Sequence, residues 1–112
     1  MEASKHRYLI ALGSNRRAPQ IGAPRAVLDA AVAELAEERW EVEAVSSWVD
    51  SAPIGPSQRQ YANGAVVISG DLDPTETLEH LQSIEEKFGR ERRGQRWRAR
   101  TLDLDIVLWS GG

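Results

Sequence analysis

Arg90-Glu91-Arg92-Arg93-Gly94-Gln95-Arg96-Trp97-Arg98-Ala99-Arg100-Thr101-Leu102-Asp103-Leu104-Asp105 is the stretch on which the reading of this chain turns. Six arginines lead into a segment that carries two aspartates. From Arg90 to Arg100 there are few apolar side chains, which predicts an exposed, mobile loop. From Thr101 to Trp109 the character reverses. Leu102, Leu104, Ile106 and Leu108 fall on one face at a period of two, and Thr101, Asp103, Asp105, Val107 and Trp109 fall on the other. That alternation predicts a half-buried strand. At a rise of ~3.3 Å per residue, the Cα atoms of Asp103 and Asp105 lie about 6.6 Å apart on one face.

Two carboxylates so placed repel unless a cation lies between them. Mg²⁺ suits the pair, because it takes one or two carboxylates and completes its shell with phosphate and water. The upstream arginines can hold the remaining phosphate oxygens. Alone, an Asp-x-Asp is more often a solvated strand face than a metal site, and an arginine run is usually a solvated loop or a nucleic-acid patch. Their adjacency favours a magnesium-bound polyphosphate, which satisfies both.

The rest of the chain is compatible with one localised anion site. Lys87 to Arg100 holds seven basic residues and one acid, a local charge of +6. The net charge is −3, so the remainder carries −9. General nucleic-acid binding prefers a broad basic surface. With 112 residues and 41% hydrophobic content, a single domain over residues 1–112 is expected. There is no cysteine, which excludes disulfides, thiolate zinc sites and a cysteine nucleophile. No apolar run reaches membrane-spanning length, and Met1 to Arg7 does not read as a signal peptide, so a cytoplasmic protein is the default.

Working outward, Tyr8 to Leu12 reads as a buried first strand that ends in a Gly13-Ser14-Asn15 turn. Pro24 suits a first helical turn. Leu28, Ala31, Val32 and Leu35 then form one apolar helical face to about Glu38. Trp40 to Val49 alternates as a second strand. Asp50 to Gln60, with Pro53, Gly55 and Pro56, predicts a long loop. Tyr61 to Ser69 is a third strand, with Tyr61 and Asn63 on one face. Asp73-Pro74-Thr75-Glu76 predicts a capped helix start. Leu78, Leu81, Ile84 or Glu85, and Phe88 form its buried stripe, and Gly89 ends it. His6 and His80 read as surface residues. The order β-α-β-β-α-β predicts an α+β, ferredoxin-like sandwich of four antiparallel strands with two helices on one face.

Arg96-Trp97-Arg98-Ala99-Arg100-Thr101-Leu102-Asp103-Leu104-Asp105-Ile106 resembles the signature of the 6-hydroxymethyl-7,8-dihydropterin pyrophosphokinases. The resemblance covers nearly all of residues 7 to 109 and includes Leu12-Gly13-Ser14-Asn15, Ser46-Ser47-Trp48, Ala52-Pro53-Ile54-Gly55 and Tyr61-Ala62-Asn63-Gly64-Ala65. It implies transfer of pyrophosphate from ATP to a pterin alcohol in folate biosynthesis. By resemblance, Asp103 and Asp105 hold Mg²⁺, with two ions bound alongside ATP. Arg90, Arg92 and Arg100 serve catalysis on a mobile loop. Gln82, Glu85, Trp97 and Ile106 meet ATP. Ser51, Ile54, Gly55, Tyr61 and Asn63 form the pterin pocket, where a flat heteroaromatic needs an aromatic face and an amide that both donates and accepts.

Arg98 and Ala99 depart from the Gly-Pro common in the family. The family also continues for several dozen residues past this point, with a histidine, a further arginine and a second aromatic for the pterin. A short chain is therefore expected to fold, to turn over poorly and to self-associate, whereas the family is monomeric. A single-stranded RNA module and a non-catalytic binding or dimerisation unit are the competing readings. The first lacks paired sheet aromatics for base stacking.

Overall fold

The computed structural model describes residues 5–14, 22–51, 61–89 and 102–111, with backbone alone for Ser51 and Tyr61. β1 (His6–Ser14) is longer than its apolar run. Tyr8, Ile10, Leu12 and Ser14 are buried, while Leu9, Ala11 and Gly13 between them are half-exposed. The strand is therefore buried on one face only. Gly13 and Ser14, expected in a turn, continue the ladder opposite Asn63 and Ala62.

The other strands are β2 (Glu41–Val45), β3 (Val49–Ser51), β4 (Tyr61–Gly70) and β5 (Asp103–Trp109). The pairings among these strands are antiparallel, in the order β2-β4-β1-β5, with β3 also on β4. Among the described residues the sheet thus has five strands rather than the expected four. β2 and β3 lie in tandem along one side of β4, because the run from Trp40 to Val49 breaks at Ser46-Ser47-Trp48. Ser46 Oγ takes the Ala65 N–H at 2.9 Å, and Ser46 N–H reaches Ala65 O at 2.9 Å. Trp48 then leaves the ladder to cover Gly64, where an added Cβ would lie 2.2 Å from its ring.

Both helices pack on the Tyr8–Ile10–Leu12 side. In α1 (Pro24–Glu38), Val27, Leu28, Ala31 and Leu35 are buried, as the helical period requires. In α2 (Pro74–Gly89), the capping box forms reciprocally. Glu76 N–H donates to Asp73 Oδ1 at 2.9 Å, and Asp73 N–H to Glu76 Oε1 at 3.1 Å. The buried stripe is Thr77, Leu81 and Ile84. Leu78, expected in it, is 45% exposed. Thr77 takes the inner place and directs its hydroxyl at Leu72 O, which also accepts from Tyr8 Oη.

β5 departs from strict alternation at one residue. Ile10 pairs with Ile106 but Leu9 pairs with Leu108, so Val107 is the extra residue of a bulge. An inserted residue exchanges the faces beyond it. Leu108, expected in the core, is 63% exposed and joins Leu9 and Val67 on the open face. Trp109 turns inward, packs against the core and donates its indole N–H to His6 Nδ1 at 3.1 Å. Trp40 does the same to His80 Nδ1 at 2.9 Å. Neither histidine is the free surface residue that the sequence suggests. Among the described residues, no helix is long and apolar enough to cross a membrane.

Candidate active site

The sheet face opposite the helices carries the polar residues. Asn63 on β4, Gly13 on β1 and Asp103 on β5 form one row across three strands. Ala65, Ala11 and Asp105 form the next. Paired residues of antiparallel strands point to the same face. Asn63 and Asp103 therefore stand about 9.6 Å apart at two spacings of ~4.8 Å, with Asp105 about 6.6 Å along the strand.

Between them the side chains are small: Gly13, Ala11 and Ala65. A Cβ on Gly13 would lie 3.2 Å from Asn63 Oδ1, so the carboxamide leans over the glycine. The result is a flat platform bounded by an amide on one side and two exposed carboxylates on the other. The carboxamide carries both a donor and an acceptor.

Asp103 and Asp105 alternate with buried Leu102 and Leu104, which lock the strand so that both carboxylates face outward. Among the described residues, no three His, Cys, Asp or Glu side chains are grouped to hold a metal. Exposed carboxylates are the hard oxygen donors that Mg²⁺ takes, with waters and phosphate oxygens completing its shell.

Glu85 reaches β5 from α2. Its Oε2 accepts the Leu104 N–H at 2.7 Å, between the two aspartates. Gln82 is exposed one turn earlier on the same helix. Ile106 is half-buried on the inner side of β5, opposite Ile10. The structure thus gathers the expected residues in two groups. Asn63, Asp103 and Asp105 share the open face, whereas Gln82 and Glu85 lie on α2, which packs against β5, and Ile106 lies on the helix side of that strand. Ser51 and Tyr61 pair with each other through the backbone. Ile54, Gly55, Arg90, Arg92, Trp97 and Arg100 lie outside the described residues.

The small floor residues escaped sequence reading, although Ala11, Gly13 and Ala65 share the open-face parity of Asn63. The Glu85–Leu104 contact had no sequence signal, since it joins residues on different elements.

The fold and this face define a class: a two-layer α+β domain whose open sheet surface carries a carboxylate pair suited to a hard cation. The family model described as 7,8-dihydro-6-hydroxymethylpterin-pyrophosphokinase matches residues 9–110, and the chain belongs to that family. Among its relatives is a Synechocystis protein, 43% identical over 105 residues, which cover 93% of this chain and 51% of the relative. A Bacillus subtilis protein is 44% identical over 103 residues, 90% of this chain and 58% of its own length. One from Haemophilus influenzae is 39% identical over 102 residues, 89% and 60%. All three bear the name 2-amino-4-hydroxy-6-hydroxymethyldihydropteridine pyrophosphokinase. The chain spans between half and two thirds of the length of these relatives.

Proposed function

We propose that this chain transfers pyrophosphate from ATP to 6-hydroxymethyl-7,8-dihydropterin, giving AMP and the pterin diphosphate. The observation that carries the reading is the shared face of Asn63, Asp103 and Asp105 across β4, β1 and β5, in a chain of this family. The strand order β5-β1-β4-β2, with both helices on one face, supports a ferredoxin-like sandwich acting as a single domain.

In this reading Asn63 pairs with the pterin edge above Gly13. Tyr61 offers an aromatic face, and Ser51, Ile54 and Gly55 complete the pocket. Asp103 and Asp105 would hold Mg²⁺, two ions of which, when bound, would neutralise charge on the triphosphate. Gln82, Glu85, Trp97 and Ile106 seat the nucleotide, and Arg90, Arg92 and Arg100 face the charge that develops on transfer. The hydroxymethyl oxygen attacks the β-phosphorus. The bond from that phosphorus to the α,β-bridging oxygen breaks, AMP leaves with the electron pair, and the hydroxyl proton passes to solvent. Catalysis of this kind rests on positioning and electrostatics. Both Nδ1 atoms of His6 and His80 accept an indole N–H, which supports a mechanism without a histidine base.

The test is AMP release from ATP in the presence of the pterin alcohol and Mg²⁺. AMP formed only when all three are present is the expected result. AMP formation that ignores the pterin would overturn the reading.

A further inference from the structure

The wall of the platform beyond Asn63 is β3, a strand of three residues, and its hold on β4 is short. Val49 pairs with Asn63, Asp50 with Ala62 and Ser51 with Tyr61. Val49 and Ser51 thus occupy open-face positions beside the two residues assigned to the pterin, while Asp50 occupies a helix-face position. A slip by one residue would exchange these faces. Three residues of ladder specify register weakly, so a second restraint is needed.

Helix α1 supplies it at two points. Asp29 Oδ1 accepts the Trp48 indole N–H at 2.7 Å. Arg25 donates from Nη2 to Trp48 O at 3.0 Å and from Nη1 to Asp50 Oδ2 at 3.0 Å. Arg25 and Asp29 are four residues apart on one helical face. They grip residues 48 and 50, alternate positions on the helix side of the sheet. Gly64 makes room for the Trp48 ring between sheet and helix. Arg25 and Asp50 are about half exposed, so the charge pair alone is a weak tie. The directional contacts to the Trp48 indole and carbonyl provide the registration.

From this geometry we infer that Arg25 and Asp29 are positioning residues for the pterin site: they lock the register of β3, so that the open-face wall beside Asn63 and Tyr61 is correctly formed. The inference rests on the proposed pterin site and extends it to a helix that touches no substrate.

The test compares wild type with Asp29→Leu, Asp29→Asn and Arg25→Ala. Affinity for the pterin alcohol is read by pterin fluorescence, and affinity for a Mg²⁺-bound ATP analogue by calorimetry. Asp29→Leu should weaken pterin binding on the order of tenfold, the equivalent of one lost hydrogen bond. Nucleotide affinity should not change, because Asp103 and Asp105 lie on the far strand. Asp29→Asn keeps an acceptor for the indole and should restore pterin binding. Arg25→Ala, at an exposed helical site, should weaken pterin binding alone. Unchanged pterin affinity in both Asp29→Leu and Arg25→Ala overturns the positioning role while leaving the pterin site standing. Parallel loss of pterin and nucleotide affinity in Arg25→Ala also overturns it, as that marks general loosening. A wild type that binds nucleotide but no pterin removes the pterin site itself, and the positioning role with it.

Discussion

Glu85 on α2 holds the backbone N–H of Leu104 on β5 at 2.7 Å, at the one residue that separates Asp103 from Asp105. A carboxylate at a strand N–H forms a charge-assisted hydrogen bond. It ties the acidic strand to the helix and anchors the backbone from which both aspartates project. Glu85→Ala should lower stability by roughly 1.5–3 kcal/mol, the range for hydrogen bonds to charged groups. Glu85→Gln, which keeps an acceptor, should lose less. Urea unfolding of the three proteins measures this, and equal midpoints would show that the contact contributes nothing.

Asp105 faces outward between buried Leu104 and half-buried Ile106, so its removal should spare the fold. Asp105→Ala is expected to abolish the Mg²⁺-dependent part of nucleotide binding while the melting temperature stays near that of wild type. Calorimetric titration of an ATP analogue with and without Mg²⁺ separates the two effects. If Mg²⁺ still strengthens nucleotide binding in the variant, the carboxylate pair is not the metal site.

Gly64 is the position at which β4 admits Trp48. A methyl group there would sit 2.2 Å from Trp48 Cε3 and 2.9 Å from Ser46 Oγ. Gly64→Ala should destabilise the protein by roughly 1–3 kcal/mol, as overpacking does in a well-packed site. The indole emission should also shift as Trp48 is displaced. A variant as stable as wild type would mean that the ring relocates without cost.

The ends of α1 and α2 are joined by a charged network that makes stability depend on pH. Trp40 donates to His80 Nδ1, which places the proton on Nε2, 2.7 Å from Glu38 Oε1. Lys87 pairs with Glu34 and lies 3.7 Å from Glu38. The hydrogen bond with Glu34, then that with His80, holds the Glu38 carboxyl down to about 2 from its ordinary 4.5. The unfolded chain therefore binds more protons between these values. This contribution is present above about pH 4.5 and is lost as pH falls towards 2. Lys87 is shifted upward, chiefly by its hydrogen bond to Glu34, so its contribution is lost only as pH rises beyond the usual lysine range. Glu38→Gln should flatten the fall of the melting temperature between pH 5 and pH 3. The same slope in both proteins would remove Glu38 from the acid transition.

Much of this molecule is legible in local pattern. Leu102 and Leu104 alternating with Asp103 and Asp105 placed both carboxylates on one face, because a strand has a period of two and nothing interrupts it there. Asp73, Pro74 and Glu76 announced the start of α2, because capping chemistry acts within four residues. Tertiary structure decided what depends on partners distant in sequence. The bulge at Val107 answers to the register of β1, and it sends Leu108 outward and Trp109 inward against the reading of the strand by itself. The break at Ser46 to Trp48 depends on Ala65, Gly64 and Asp29, which no window around Trp48 contains. His6 and His80 look free in sequence because the indoles that bind them lie 103 and 40 residues away. The row of Asn63, Gly13 and Asp103 exists only once β4, β1 and β5 are in register, since side chains on three strands share a surface through backbone pairing and not through sequence.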